Sequence, residues 1–292
     1  MIRRPPRSTP SNSSAASDVY KRQGKVQMTA TVKQAVLLDG KDYEQMPITE
    51  EVEVAGGEQF CSCHWLQSQT SVPVNLEFET SITYDGGITV EYYKYSELSL
   101  SAGDFNYRDP AVPYVKLFSL KYVDGCFVWT IDLNGSLISG HWSTGAQVLV
   151  VTPSKIFTLG ISPGVGGNVY KEFVGGTWSE PMTPPEGMET VGEPNDEHFE
   201  IKIPVEYLCG GKWAINIEAS WPEHSGSYWA RYPTTWEGWY DFTNLADFPV
   251  EQITSPFTLA PGERLDFIIC YKFAVNIKPG TYTITTTVKP VS

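Results

Sequence analysis

The sequence predicts an all-β protein, an antiparallel β-sandwich with a second β domain inserted into it. Three observations carry that expectation. From Met28 onward β-branched and aromatic residues alternate with polar ones at period two. Gly, Pro and Asp clusters break the alternation at short intervals, and no amphipathic pattern of three helical turns is present. Across 292 residues, 41% hydrophobic and 13% aromatic against 19% charged, there is apolar material for a sizeable core and too little charge for bulk disorder.

Taken in order, the first strands read as Gln27 to Leu37, Ile48 to Val54, Gln59 to Gln67, Val72 to Tyr84 and Ile88 to Tyr95. Ala55-Gly56-Gly57-Glu58 and Tyr84-Asp85-Gly86-Gly87 supply the positive-φ glycines that tight turns need. At the far end, Leu265 to Phe273 and Thr281 to Val288 read as strands, with Pro-Gly turns at Pro261 and Pro279. In the last strand Tyr282, Ile284, Thr286 and Val288 share one face and the intervening threonines the other, so one face is packed and one wetted.

Between these ends, roughly Ser96 to Thr243, the chain is richer in Trp, Pro and Gly. Its strands are expected at Tyr114 to Tyr122, Phe127 to Leu133, Gln147 to Val151, Phe199 to Ile203 and Lys212 to Ala219, with a long loop over Phe173 to His198. The expected organisation is therefore a sandwich domain of residues 24–95 plus 248–292, with residues 96–247 forming the inserted β domain.

Residues 1–23 stand apart. The stretch SSAASDVYKRQ, with IRRPPRST before it, resembles translated sequencing-adapter DNA, and it is excluded from the fold; the alternative is a natural basic, Ser-rich arm. It has no apolar segment of a secretory signal, and the expectation is that such a signal would lie upstream. The formal net charge is −13, and without this segment 16 basic face 33 acidic residues, −17. An acidic surface repels a phosphate backbone, so no nucleic-acid partner is expected. Apolar runs such as Gln147 to Val151 have strand length, far from the ~20 residues that a membrane helix needs, so no membrane span is expected.

Two resemblances follow from the turn chemistry. The pattern of a strand, a PGE turn, a strand and PGTYTITTTV resembles the last strands of bacterial and archaeal immunoglobulin-like surface modules. The block Val52 to Tyr93, with GGEQF, SVPVNLEFET and GGITVEYY, is similar in layout to the jelly-roll subunits of the camelysin family, which build biofilm fibres. This sequence departs from that pattern in lacking a proline at Gly56-Gly57 and in its longer middle. The resemblance implies a secreted or cell-surface structural or adhesive protein, working by association with itself or with other surface proteins and without a catalytic step. The stretch FEIKIPVEYLCGGKWAINIEASW is similar to strands of carbohydrate-binding and cytochrome-binding sandwich modules.

The candidate chemistry is sparse. Of five cysteines, Cys61 and Cys63 lie two apart on a strand and share a face, so they face a neighbouring strand rather than each other. Cys270 is the natural partner across the sheet, and Cys126 with Cys209 forms a second expected bridge inside the middle; the odd total leaves one thiol over, and five buried free thiols are the alternative. Cys61-Ser62-Cys63-His64 has the wrong spacing for zinc, with His64 on the opposite face, so no metal or other cofactor is expected. His141, His198 and His224 are scattered, and Gly164 to Gly167 lacks the lysine and following helix of a phosphate loop. The sequon Asn134-Gly135-Ser136 bears only on a glycosylating host.

The densest cluster is aromatic: Trp221, Tyr228, Trp229, Tyr232, Trp236, Trp239 and Tyr240, mixed with Arg231, Glu223 and Glu237. Rings beside polar groups form sugar-binding faces, which makes a glycan the alternative partner; the competing reading is that the rings fill a junction. A glycan-active enzyme with paired carboxylates is the third reading.

Overall fold

The computed structural model describes residues 24–291 apart from 33–35, 40, 43–47, 55–56, 58, 83–86, 108–113, 135–144, 163–166, 193–195, 222–223, 235–241 and 278–281. Residues 1–23 and the turn at Pro279 therefore lie outside the described part. The chain is all-β, an assembly of antiparallel sheets that pack as sandwiches and do not close into a barrel.

The first strands are β1 (Gly24–Val32), β2 (Val36–Leu38), β3 (Lys41–Asp42), β4 (Ile48–Val54), β5 (Gln59–Ser68), β6 (Val74–Ile82) and β7 (Ile88–Tyr95). The middle supplies β8 (Leu98–Leu100), β9 (Asn106–Tyr107), β10 (Val115–Val123), β11 (Cys126–Leu133), β12 (Ala146–Val151), β13 (Ile156–Ser162) and β14 (Gly167–Val174). It continues through β15 (Thr177–Trp178), β16 (Glu189–Val191), β17 (His198–Pro204), β18 (Lys212–Trp221), β19 (His224–Tyr232) and β20 (Ala246–Asp247). The chain closes with β21 (Val250–Gln252), β22 (Phe257–Leu259), β23 (Arg264–Phe273) and β24 (Tyr282–Pro290).

Two sheets, ordered β22-β6-β24-β1-β4 and β21-β7-β23-β5-β2-β3, share one core, called here the front unit. Leu66, Leu76, Phe267, Ile269, Ile284 and Val288 are buried in it. Phe78 of β6 stacks on Tyr92 of β7 across the gap at 4.1 Å between centroids, and this pairing fixes the sheets face to face. Thr286 and its neighbours Ile284 and Val288 are buried, as the alternation in the last strand predicts. The stretch Gln27 to Leu37, read as one strand, is two: β1 and β2 lie in different sheets. One pairing breaks the antiparallel rule, since β1 runs parallel to β24.

The sheets β16-β17-β11-β10-β8 and β15-β14-β13-β12-β18-β19-β9, with β20 added beside β18, enclose a second core, the middle unit. Trp129 and Trp213 are fully buried there; Phe118 stacks on Trp213 at 5.8 Å, and Trp129 meets Trp213 edge to face at 6.0 Å. The expected long loop over Phe173 to His198 begins on the last two residues of β14, contains the short strands β15 and β16 and ends on the first residue of β17. Gly167 opens β14, while Gly164 to Gly166 lie outside the described residues.

Candidate functional site

The residues that carry chemistry converge on the seam between the two units. Strand β5 has Ser62, His64, Leu66 and Ser68 buried, while the alternate positions, Cys61, Cys63 and Trp65, are only partly buried. Cys61 and Cys270 occupy opposed positions in the β5–β23 ladder and are bridged, with 4.1 Å between their Cα atoms. The second bridge corrects the sequence reading. Cys209 pairs with Cys63, not with Cys126, which is free. The reason lies in position: Cys126 starts β11 and sits in register with Pro204, while the short 3-10 turn Val205–Tyr207 carries the chain on to Cys209, within 5.9 Å of Cys63 Cα.

Cys63–Cys209 therefore ties the front unit to the middle one. Around it the seam is well furnished. Tyr95 of β7 packs into the middle core, against Tyr122 at 5.9 Å and Phe127 at 5.0 Å between centroids. Asp266, 4% exposed, receives two hydrogen bonds from Arg264, at 2.8 and 2.9 Å, and one from the Tyr122 hydroxyl. Burial, then that hydrogen bond to a carboxylate, push the Tyr122 phenol well above its ordinary pKa, so it stays protonated and donating. Arg264 also lies over the Trp65 ring at 4.5 Å. Burial raises the pKa of the Cys126 thiol, which keeps it in the poorly nucleophilic protonated form.

A serine, a histidine and an aspartate form a chain that sequence reading missed, because Asp39 is remote from Ser62 and His64. His64 Nδ1 lies 2.9 Å from Asp39 Oδ2, and its Nε2 lies 2.9 Å from Ser62 Oγ. The carboxylate accepts from Nδ1–H, and Nε2 is hydrogen-bonded to the serine hydroxyl. The connectivity matches a nucleophile, base and orienting acid, but the exposure is inverted. Ser62 and His64 are each 4% exposed, and the carboxylate end is the open one. With its hydroxyl turned into the sandwich and Phe267 beside the imidazole at 5.7 Å, the chain acts as a brace. Asp39, at φ 49°, accepts the Trp65 amide through Oδ1 and donates its own amide to the Trp65 carbonyl, locking the turn between β2 and β3 onto β5. Both cysteine sulfurs beside His64 are consumed in bridges, which leaves no thiolate for a metal.

Of the expected aromatic face, the described side chains are those of Arg231 and Tyr232. Arg231 is 6% exposed and donates from Nε to Asn216 at 2.7 Å, while Tyr232 packs on the middle core beside Phe105 and Trp213. Neighbouring strand residues face opposite ways, so these two cannot serve one ligand-binding face. Trp221, Tyr228 and Trp229 occupy backbone positions in β18 and β19, and their side chains lie outside the described part, as do Trp236, Trp239 and Tyr240. His141 and the glycine and serine of the sequon are likewise outside it; Asn134 is exposed at the end of β11. His198 is on the open face of its sheet, with Nδ1 2.5 Å from Asp132, whose hydrogen bond raises the imidazole pKa.

Among the described residues no helix is long and apolar enough to cross a membrane. Comparison of the chain with protein-family models, with curated proteins and with solved structures finds no match.

Proposed function

We propose that this chain is a secreted or cell-surface structural or adhesive protein, without a catalytic step, that associates with copies of itself or with other surface proteins through an exposed strand edge. The observation that carries the reading is where the cysteines go. Four of the five are spent on two bridges, one across a sheet and one across the seam. Such bridges persist in oxidising compartments, and rigid linkage of units suits a scaffold.

The edges support the same reading. Among the described residues, seven of the eight strands that end the four sheets are two or three residues long, short enough to resist pairing with other chains. The eighth, β4, offers seven residues, ITEEVEV. Its length suits it to pairing with an added strand. Size-exclusion chromatography with light scattering, then negative-stain microscopy, tests this under non-reducing conditions. Oligomers or filaments that grow with concentration are expected; a protein that stays monomeric throughout overturns self-association.

A further inference from the structure

A groove of about 640 Å³ opens on the seam, inside the range of about 300–1,000 Å³ typical of small-molecule sites. Both units build it. Phe60, Ile268 and the Cys61–Cys270 bridge come from the front sheet, and Leu208 and Phe248 come from the middle. Tyr95, which crosses from one to the other, lines it as well. Three of these walls are aromatic rings and a fourth is a polarisable disulfide, surfaces that favour a ring over a flexible chain. Gly210, at φ +65°, and Pro153 also line the groove.

Charge narrows the ligand further. The ionic groups in the lining are Lys212 and Asp247, and they neutralise each other at 3.1 Å. A charged ligand would give up hydration among apolar walls and find no free counter-charge in the lining, a cost that a neutral one does not bear. We propose that the seam groove binds an uncharged, flat aromatic compound. Because its walls come from both units, the bound ring also holds them together beside the Cys63–Cys209 bridge.

Fluorescence titration of the full oxidised chain tests the site with a matched pair of probes. N-phenyl-1-naphthylamine is neutral; anilinonaphthalene sulfonate carries the same rings and one negative charge. Saturable one-to-one binding of the neutral probe is expected, with the charged one weaker by about tenfold or more. Val250→Asp, which adds an unpaired charge at an exposed lining position, and Gln59→Trp, which fills the mouth, each weaken the neutral probe by about fivefold or more. Both positions are solvent-exposed, so thermal melts run beside the titrations are expected to match the parent. Equal affinity for the two probes overturns the preference for a neutral ligand, and displacement by octanol more readily than by naphthalene overturns the preference for a ring. Binding untouched by both variants, or none that saturates, overturns the site.

Discussion

The front and middle units are both two-sheet sandwiches, yet they are held together by different means. The middle unit is built from one continuous stretch of chain around fully buried Trp129 and Trp213, with aromatic rings meeting in stacked and edge-on pairs. The front unit joins strands from the two ends of the chain, and the Cys61–Cys270 bridge closes a separation of 209 residues. Contacts between distant segments require a large loss of chain entropy before they return any stabilisation. A covalent link removes that entropy from the unfolded state instead, so the unit with the more dispersed chain gains more from it.

The sharpest way to break this contrast is Trp213→Ala. It should destabilise the middle unit by about 3–5 kcal/mol, seen as loss of near-ultraviolet circular dichroism and an earlier denaturant midpoint. Replacing Cys61 and Cys270 together by serine should cost about 2–5 kcal/mol, felt in the front unit. Exchange of amide hydrogens followed by mass spectrometry separates the two cases; identical exchange patterns in the two variants would show that the units unfold as one.

Asp266→Asn addresses the seam itself. Arg264 would keep its charge and lose its paired carboxylate, for an expected loss of about 1–3 kcal/mol in a denaturant titration. The smallest effect belongs to His198. Its folded pKa is raised by Asp132, so the pair contributes in full below the unfolded value of 6.5 and the contribution fades as pH rises through the folded value. At an exposed site this amounts to about 0.2–1 kcal/mol. Asp132→Asn should flatten the difference in melting temperature between pH 5 and pH 8.

Much of the fold was legible. Ile48–Val54 and Ile88–Tyr95 stand as read, since Pro47 and Gly56-Gly57 bracket the first and Gly86-Gly87 opens the second. Strand β13 was not, because Gly160 interrupts its pattern. A Cβ there would stand 2.0 Å from the Ala146 carbonyl oxygen, so the glycine answers a close approach of β12 that only the folded chain reveals. Strand β19 is hidden by its consecutive rings Tyr228 and Trp229, which break the alternation of polar and apolar residues.

The candidate site was less legible than the fold. Cys61 with Cys270 follows from strand logic, because both fall on alternating segments that pair directly. Cys63 with Cys209 depends on how one unit sits on the other, and the Asp39 brace depends on a turn folding back over β5. Neither has a local signal.

The parallel pairing of β1 with β24 has a mechanical consequence. The two strands run side by side in the same direction, in register from Val26 opposite Tyr282 to Val32 opposite Val288. Tension arriving through the residue before Gly24 and leaving after Pro290 pulls them along their length in opposite senses. Their backbone hydrogen bonds then share the force in shear and must fail together, whereas a hairpin pulled from its open end unzips one bond at a time.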